Sequence, residues 1–383
     1  MSGFGFSEEH RMFQHMVQDF ARRELAPGAK ERSKRTSLPP ELLKRTGELG
    51  LLAPNLPSKY GGQGGDFISL GIAVEEIAKA DFNLPLAIVT LHGAALALES
   101  STEDMREEWL PPLARGEQVT CCCLTEPEAG SDAANIKTRA IKEGDFYVLS
   151  GEKTSITLGM QADTAYVFAK TDPASGPRGV TCFWVPLNLP GIGRTAFPDM
   201  GWLPLGRASI VMDGVRIPAR YRVGQEGEGF YKVMQTFDNF RVLLGLISLG
   251  ASQASLEEAI SYAKQRTAFG RPIAKFEGIS FKIAEAATEI EAARLLCYRA
   301  LWLGDQGISH IKESAMCKWF CPQVAVRAVH NALLIHGHIG YSADFALEQR
   351  LRDVIGMEMA DGTAEIMKII ISREVMGREF LPY

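Results

Sequence analysis

Residues able to do chemistry stand in a few short stretches. Near the end of the chain, Ala360-Asp361-Gly362-Thr363-Ala364-Glu365-Ile366 sets a carboxylate beside a glycine and just ahead of a helix-capping residue type. Locally this reads as a turn that starts the last helix, with Thr363 as N-cap, a role that leaves the Asp361 carboxylate open to chemistry. Leu124-Thr125-Glu126-Pro127-Glu128-Ala129-Gly130-Ser131-Asp132 reads as a Pro/Gly turn. Small hydroxyl residues and glycine also suit a loop whose backbone N–H groups must come close to a ligand. In Tyr262-Ala263-Lys264-Gln265-Arg266-Thr267-Ala268-Phe269-Gly270-Arg271-Pro272-Ile273 the arginine falls near a predicted helix C-terminus, where it can serve the helix dipole. Its guanidinium fork equally suits a phosphate.

Other chemistries find no support. Gly191-Ile192-Gly193-Arg194-Thr195-Ala196 matches a G-x-G-x-x-A dinucleotide fingerprint, but Pro190 and Pro198 flank it, so no helix N-terminus faces a pyrophosphate. There is no G-x-S-x-G elbow, and the seven histidines lie in no nucleophile signature. His336-Gly337-His338 is the one tight histidine pair, and on a turn it reads as structural, so no metal is expected. The run Cys121-Cys122-Cys123 fits neither a disulfide framework nor a common zinc ligand set, which points to reduced thiols and a cytoplasmic protein.

The elements that must position these stretches follow from patterning. A chain of 383 residues with 46% hydrophobic content buries a sizeable core and divides into two or three subdomains. Its 41 basic and 46 acidic residues are interspersed, which argues against nucleic acid as a partner. No apolar run of about 18 residues appears, and Met1 to Ala26 reads as an amphipathic helix with Ser7 as N-cap rather than a signal peptide, so no membrane span is expected. Helical periodicity continues to about residue 115. From about Val119 to about Gly227, runs such as Phe146 to Leu149 and Thr181 to Val185 alternate with Gly/Pro turns and predict a β domain. Long helical patterns then return over Ser252 to Arg266, Ile279 to Leu303 and Ile311 to Ile335.

Four motifs, in this order, resemble those of the FAD-dependent acyl-CoA dehydrogenases. Leu124 to Asp132 is similar to the family's T-E-P-x-A-G-S-D signature. Gly151-Glu152-Lys153-Thr154-Ser155-Ile156-Thr157 is similar to G-x-K-x-W-I-T, with Ser155 where the family carries tryptophan. The segment from Tyr262 to Ile273 resembles Y-x-x-x-R-x-x-F-G-x-x-I, preceded by Phe237-Asp238-Asn239-Phe240-Arg241, which resembles F-D-x-x-R. Arg352-Asp353 followed by Ala360 to Ile366 resembles R-D followed by Y-E-G-T-x-E/Q-I. A weaker likeness runs through Leu333 to Tyr341, where Leu334 and His338 depart from Q-x-x-G-G-x-G. The resemblance spans essentially the whole chain. It implies a mainly α fold with a central β domain: an N-terminal helical domain (1–117), a middle β domain (118–227) and a C-terminal four-helix bundle (228–383).

The resemblance also implies site roles. Leu124, Thr125, Ser131, Ser155, Thr157, Leu334, Gly337, His338, Thr363 and Glu365 would bind FAD, and Arg266 and Phe269 would reach the FAD of a neighbouring subunit in a homotetramer. Ser131, Asp238, Arg241 and Gly362 would bind the acyl-CoA. Asp361, where the family has glutamate, would be the base that removes the α-proton while hydride leaves the β-carbon. Its own backbone N–H would bind the thioester oxygen. In another branch of the family the base immediately precedes the arginine, but that position is Phe240 here. Electrons would pass to an electron-transferring flavoprotein. An oxidase on the same fold, an enoyl-CoA reductase working in reverse and a non-catalytic scaffold relative stay open. Ser155, Ala360 and Asp361 are each smaller than the family residue, which favours a short, bulky acyl group such as cyclohexane-1-carboxyl or a 2-methyl-branched chain. His92 is a candidate for lining the acyl pocket or for an ordinary core position.

Overall fold

In the computed structural model, residues 5–381 are described; residues 1–4, part of the expected amphipathic helix, and residues 382–383 lie outside them. Helix α1 (Glu8–Phe20) begins at Ser7, whose hydroxyl accepts from His10 N at 3.1 Å while Ser7 N donates to His10 Nδ1 at 3.2 Å. Two orphan donors of the first turn are thereby satisfied. Helical turns continue past Phe20, through Ala21–Leu25 and Ala26–Gly28 into α2 (Ala29–Arg32). Pro27 does not stop them, because it sits at the start of a fresh turn where its missing N–H has no carbonyl to meet. Helices α3 (Pro40–Glu48), α4 (Phe67–Ala80), α5 (Leu84–Leu98) and α6 (Glu103–Ala114) follow. Eight strands come next: β1 (Thr120–Cys123), β2 (Arg139–Glu143), β3 (Phe146–Ile156), β4 (Thr164–Lys170), β5 (Val180–Pro186), β6 (Ile192–Ala196), β7 (Ala208–Pro218) and β8 (Arg222–Val223). The chain ends with α7 (Gly229–Gln265), a hairpin of β9 (Thr267–Ala268) and β10 (Arg271–Pro272), α8 (Glu277–Asp305), α9 (Ile311–His336), α10 (Leu347–Met357) and α11 (Ala364–Met376). The fold is mainly α with a central β domain, in the order the periodicity predicts.

The described residues group into two compact units, one comprising those up to Ser33, Asp66–Pro85 and those from Asp238 on, the other Lys34–Gly65 and Leu86–Phe237. In the first, α4 packs closely on α7 and α8. A Cβ on Gly250 would lie 2.5 Å from Glu75 O, so that position needs glycine, while one on Gly71 would lie 2.4 Å from Leu301 Cδ1 and would force that side chain to move. Asp305, at the end of α8, accepts from Phe67 N at 2.7 Å and Ile68 N at 3.3 Å, which satisfies the start of α4. At one end of the bundle Ala259 and Ala263 of α7 pack with Ala332 and Ile335 of α9 and with Leu347.

In the second unit the strands form one sheet in the order β6-β7-β3-β2-β4-β5-β8, with β1 parallel to β4. Strand β4 is buried along its whole length and β5 in all but its last residue, which is why they read as continuous apolar runs. Helix α6 covers part of the sheet through Trp109, whose ring lies 5.8 Å from those of Trp184 and Tyr221. The Gly191 to Ala196 stretch is strand β6 paired with β7 and presents no helix N-terminus. Cys121, Cys122 and Cys123 lie on β1, and all seven cysteines are free thiols. Among the described residues no helix is long and apolar enough to cross a membrane, and no three His, Cys, Asp or Glu side chains converge as a metal site.

Candidate functional site

In the helical unit, the turn between α10 and α11 carries Asp361. The residue adopts φ 50°, a left-handed conformation that aspartate tolerates better than most side chains, and Gly362 follows at φ 108°. Thr363 then caps α11, its hydroxyl 3.5 Å from Ile366 N. Glu365 is exposed on the first turn of that helix. Two buried cations face the turn. Lys318 of α9, only 1% exposed, donates from Nζ to Met357 O at 2.7 Å and to Gly362 O at 3.2 Å. Arg241 of α7 brings Nε within 3.5 Å of Asp361 O and Nη1 within 3.1 Å of Asp238 Oδ1. Burial pushes the Asp361 carboxyl above its ordinary range, while the charges of Lys318 and Arg241 limit the rise. Burial also raises the Asp238 carboxyl against the pull of Arg241 and His310. Asp238, Arg241 and Asp361 therefore form one group, and Lys318 joins it unannounced by the motifs. Phe240 is buried beside Arg241 and has no acid–base group to offer.

In the β unit, the loop that follows β1 is stapled from within. Lys153 of β3, with no exposed surface, donates to Leu124 O at 3.0 Å and to Glu126 Oε1 at 2.7 Å. Glu126 also accepts from Lys137 N and from Thr138 N, the latter at 3.0 Å, and Thr154 N donates to Thr125 O at 2.9 Å. Burial works against the Glu126 charge, yet Lys153 and the backbone donors hold its carboxyl below the usual range. Leu124 is thus buried and fixed, Thr125 is half-buried, and Gly130 and Ser131 at the far side of the turn are exposed. The pairing of β3 with β7 shifts between Lys153 and Ile156, and at that irregularity Ser155 takes φ 60° and stays exposed. Arg207 Nη1 donates to its hydroxyl at 3.3 Å. Thr157 lies just beyond the strand, at the start of the turn that closes β3. His92 is a core residue of α5, its Nδ1 3.2 Å from Asn55 Nδ2.

A third set occupies the bundle end. Arg266 and Phe269 lie on the segment leaving α7, and Leu334, Gly337 and His338 on the segment closing α9. The apolar cluster around Ala263 and Ile335 joins these two segments, and Tyr262 stacks on His336 at 4.4 Å. Lys318 and His336 are 18 residues apart on α9, about 27 Å at helical rise. Within one chain this set and the Asp361 group therefore lie far apart along the bundle. Phe269, at φ 52°, is 94% exposed, and Arg266 is exposed. Five non-glycine residues among those described have positive φ, and three of them are Ser155, Phe269 and Asp361. Strained backbone persists where its surroundings enforce it, and it gathers at binding and catalytic sites.

An exposed guanidinium at Arg266 and an exposed aromatic ring at Phe269, three residues apart in the sequence, suit a ligand carrying both a pyrophosphate and a flat ring. The rigid Leu124 to Ser131 loop, with glycine and hydroxyls at its open side, suits close approach by a second ring system. FAD has both parts, and each set of residues, taken by itself, fits one of them.

Comparison with known proteins gives one answer along the whole chain. Family profiles match residues 7–117 (acyl-CoA dehydrogenase, N-terminal domain), 121–215 (middle domain) and 227–376 (C-terminal domain). The probable acyl-CoA dehydrogenase YngJ of Bacillus subtilis is 38% identical over 377 residues, covering 97% of this chain and 99% of that protein. Subunit CarC of the caffeyl-CoA reductase-Etf complex of Acetobacterium woodii is 35% identical, covering 96% and 98%. The structure of butyryl-CoA dehydrogenase from Megasphaera elsdenii superposes with a TM-score of 0.93 at 33% identity, covering 97% of this chain and 99% of that one.

Proposed function

The chain belongs to the acyl-CoA dehydrogenase family, flavoprotein oxidoreductases that act on CH–CH groups with FAD, and from that premise we propose that it dehydrogenates a short, bulky acyl-CoA with Asp361 as the base. The observation that carries this reading is the placement of Asp361: a partly buried residue on a left-handed turn whose backbone oxygens are held by two buried cations, Lys318 and Arg241. Burial raises the carboxyl and so strengthens it as a base, and the charges of Lys318 and Arg241 limit that rise.

The Asp361 carboxylate takes the α-proton as the Cα–Cβ double bond forms. Its backbone N–H donates to the thioester oxygen, where negative charge develops. FAD, when bound, supplies the acceptor for the β-hydride. Asp238, Arg241, Ser131 and Gly362 bind the acyl-CoA. Leu124, Thr125, Ser131, Ser155, Thr157, Thr363 and Glu365 hold the cofactor of their own subunit. Arg266, Phe269, Leu334, Gly337 and His338 serve that of a neighbour in a homotetramer; the exposure of Phe269 and the length of α9 support a cofactor shared between subunits. Electrons leave to an electron-transferring flavoprotein, and the Acetobacterium relative, a subunit of an Etf complex, supports that acceptor. We place the enzyme in the cytoplasm.

Substrate choice follows from volume. Ala360 and Ser155 are small, and aspartate sets its carboxylate back by one C–C bond relative to glutamate, about 1.5 Å. That leaves room for a tertiary α-carbon, as in cyclohexane-1-carboxyl-CoA or a 2-methylacyl-CoA. A ring also holds its axial α- and β-hydrogens antiparallel without freezing a flexible chain. Anaerobic stopped-flow bleaching of FAD by such a thioester tests the function. Asp361→Asn keeps shape and loses basicity, so it should slow bleaching by orders of magnitude while binding persists. Near-normal bleaching would remove Asp361 from the role. The Acetobacterium relative is named for reduction, and oxidation of reduced enzyme by the enoyl-CoA faster than the forward half-reaction would reverse the proposed direction.

A further inference from the structure

Lysine rarely lies wholly inside a protein unless it is paired, because its ammonium loses hydration there. Lys318 is 1% exposed, and its Nζ bonds two backbone oxygens, Met357 O at 2.7 Å and Gly362 O at 3.2 Å. Met357 ends α10, so its carbonyl is one that the helix leaves without an internal partner. Gly362 immediately precedes the cap of α11. A single ammonium thus closes the ring of backbone that runs through Glu358, Met359, Ala360 and Asp361. Inside that ring Asp361 holds φ 50°, a conformation side-chain-bearing residues keep only when the surroundings enforce it. The charge matters as well as the donors. Burial lowers the Lys318 ammonium to about 8, with Asp361, Glu358 and Cys321 pulling it up and Arg241 pushing it further down. The same lysine is the largest influence holding down the Asp361 carboxyl against burial, with Arg241 next.

We propose that Lys318 is a positioning residue for the reaction: its ammonium keeps the Met357 to Gly362 turn closed around Asp361, and its charge offsets the cost of a carboxylate at that site. This rests on the reading of Asp361 as the base. Two substitutions separate the two parts of the role. Lys318→Met removes donors and charge, whereas Lys318→Gln keeps an NH₂ with two donors and removes only the charge.

The test is FAD reduction by stopped flow in the purified holoenzyme from about pH 5 to about 9. The probe is whichever of cyclohexane-1-carboxyl-CoA and butyryl-CoA bleaches the wild type faster, and Asp361→Asn is run alongside. Lys318→Met should lower the maximal rate about tenfold or more and move the midpoint of the acidic limb to higher pH by about one unit. Lys318→Gln should show the same midpoint shift with a maximal rate nearer the wild type, a partial rescue that a lysine needed only for folding would not give. FAD-loaded variants with the wild-type midpoint and rate would overturn the proposal. So would failure of both variants to fold and load FAD, since a structural lysine would account for it. If Lys318→Met alone fails to fold, the midpoint of Lys318→Gln decides. An inactive Asp361→Asn beside unchanged Lys318 variants sinks this inference alone, whereas an active Asp361→Asn sinks the base assignment beneath it.

Discussion

Replacing Lys153 by methionine isolates what holds the Leu124 to Ser131 loop. The ammonium has no exposed surface and donates to Leu124 O and Glu126 Oε1, whose side chain is only 5% exposed. Lys153→Met keeps most of the volume. It leaves a buried carboxylate with only the Lys137 and Thr138 amides, and it strips one donor from the Leu124 carbonyl. Breaking a buried pair from one side costs about 3–5 kcal/mol. The two remaining amides keep the carboxylate loss near the low end, and the orphaned carbonyl adds about 1 kcal/mol, so the sum falls near 4 kcal/mol. For a unit of this size that corresponds to a fall in Tm of roughly 8–16 °C. Thermal unfolding is followed by circular dichroism with FAD content read at the same time, because a loosened loop should also release cofactor, and cofactor loss lowers Tm further. Adding Glu126→Gln removes the stranded charge and should recover part of the loss, giving a favourable coupling in the double-mutant cycle. A Lys153→Met protein melting within about 2 °C of wild type with full FAD would refute the reasoning.

Three further outcomes can be checked. Burial pushes His92 down to about 4 from an ordinary 6.5, and the Asn55 amide beside Nδ1 needs an acceptor there. Its contribution should be complete above pH 6.5 and disappear as pH falls through about 4, a loss of up to about 3 kcal/mol in urea unfolding. His92→Gln should flatten that slope, and an unchanged slope would assign the acid sensitivity elsewhere. Arg266→Ala should yield FAD-depleted protein of lower assembly state by light scattering; full FAD in an intact oligomer would displace Arg266 from the cofactor. Across butyryl-, octanoyl-, 2-methylbutyryl- and cyclohexane-1-carboxyl-CoA, kcat/KM should be highest for a thioester with a tertiary α-carbon, and a preference for either straight chain would refute the volume argument.

What the sequence reveals here depends on how local the determining interaction is. Ser7 and Thr363 cap their helices through bonds three residues away, so both are legible from their neighbours. The helix and strand order is equally legible, since periodicity records burial. Asp361 and its glycine read as a turn, and the family pattern gives the turn its chemical meaning. The left-handed conformations at Ser155 and Phe269 leave no mark in residue type, because register against β7 and the geometry of a short hairpin impose them.

The two buried lysines are the hardest features to foresee, although a faint signal exists. Lys153 shares the inward parity of Tyr147 and Leu149 on β3, and Lys318 lies on the helical face of Ser314, Ala315, Cys321 and Pro322, all buried. Periodicity thus places both side chains inward, where lysine is costly, and a costly residue implies a partner. It cannot name that partner. Lys318 is satisfied by carbonyls 39 and 44 residues further along the chain, and a backbone carbonyl is the same at every position. Motif likeness consequently finds the residue that would carry the proton, while the group that holds it in place becomes visible only when the turn and α9 are seen folded together.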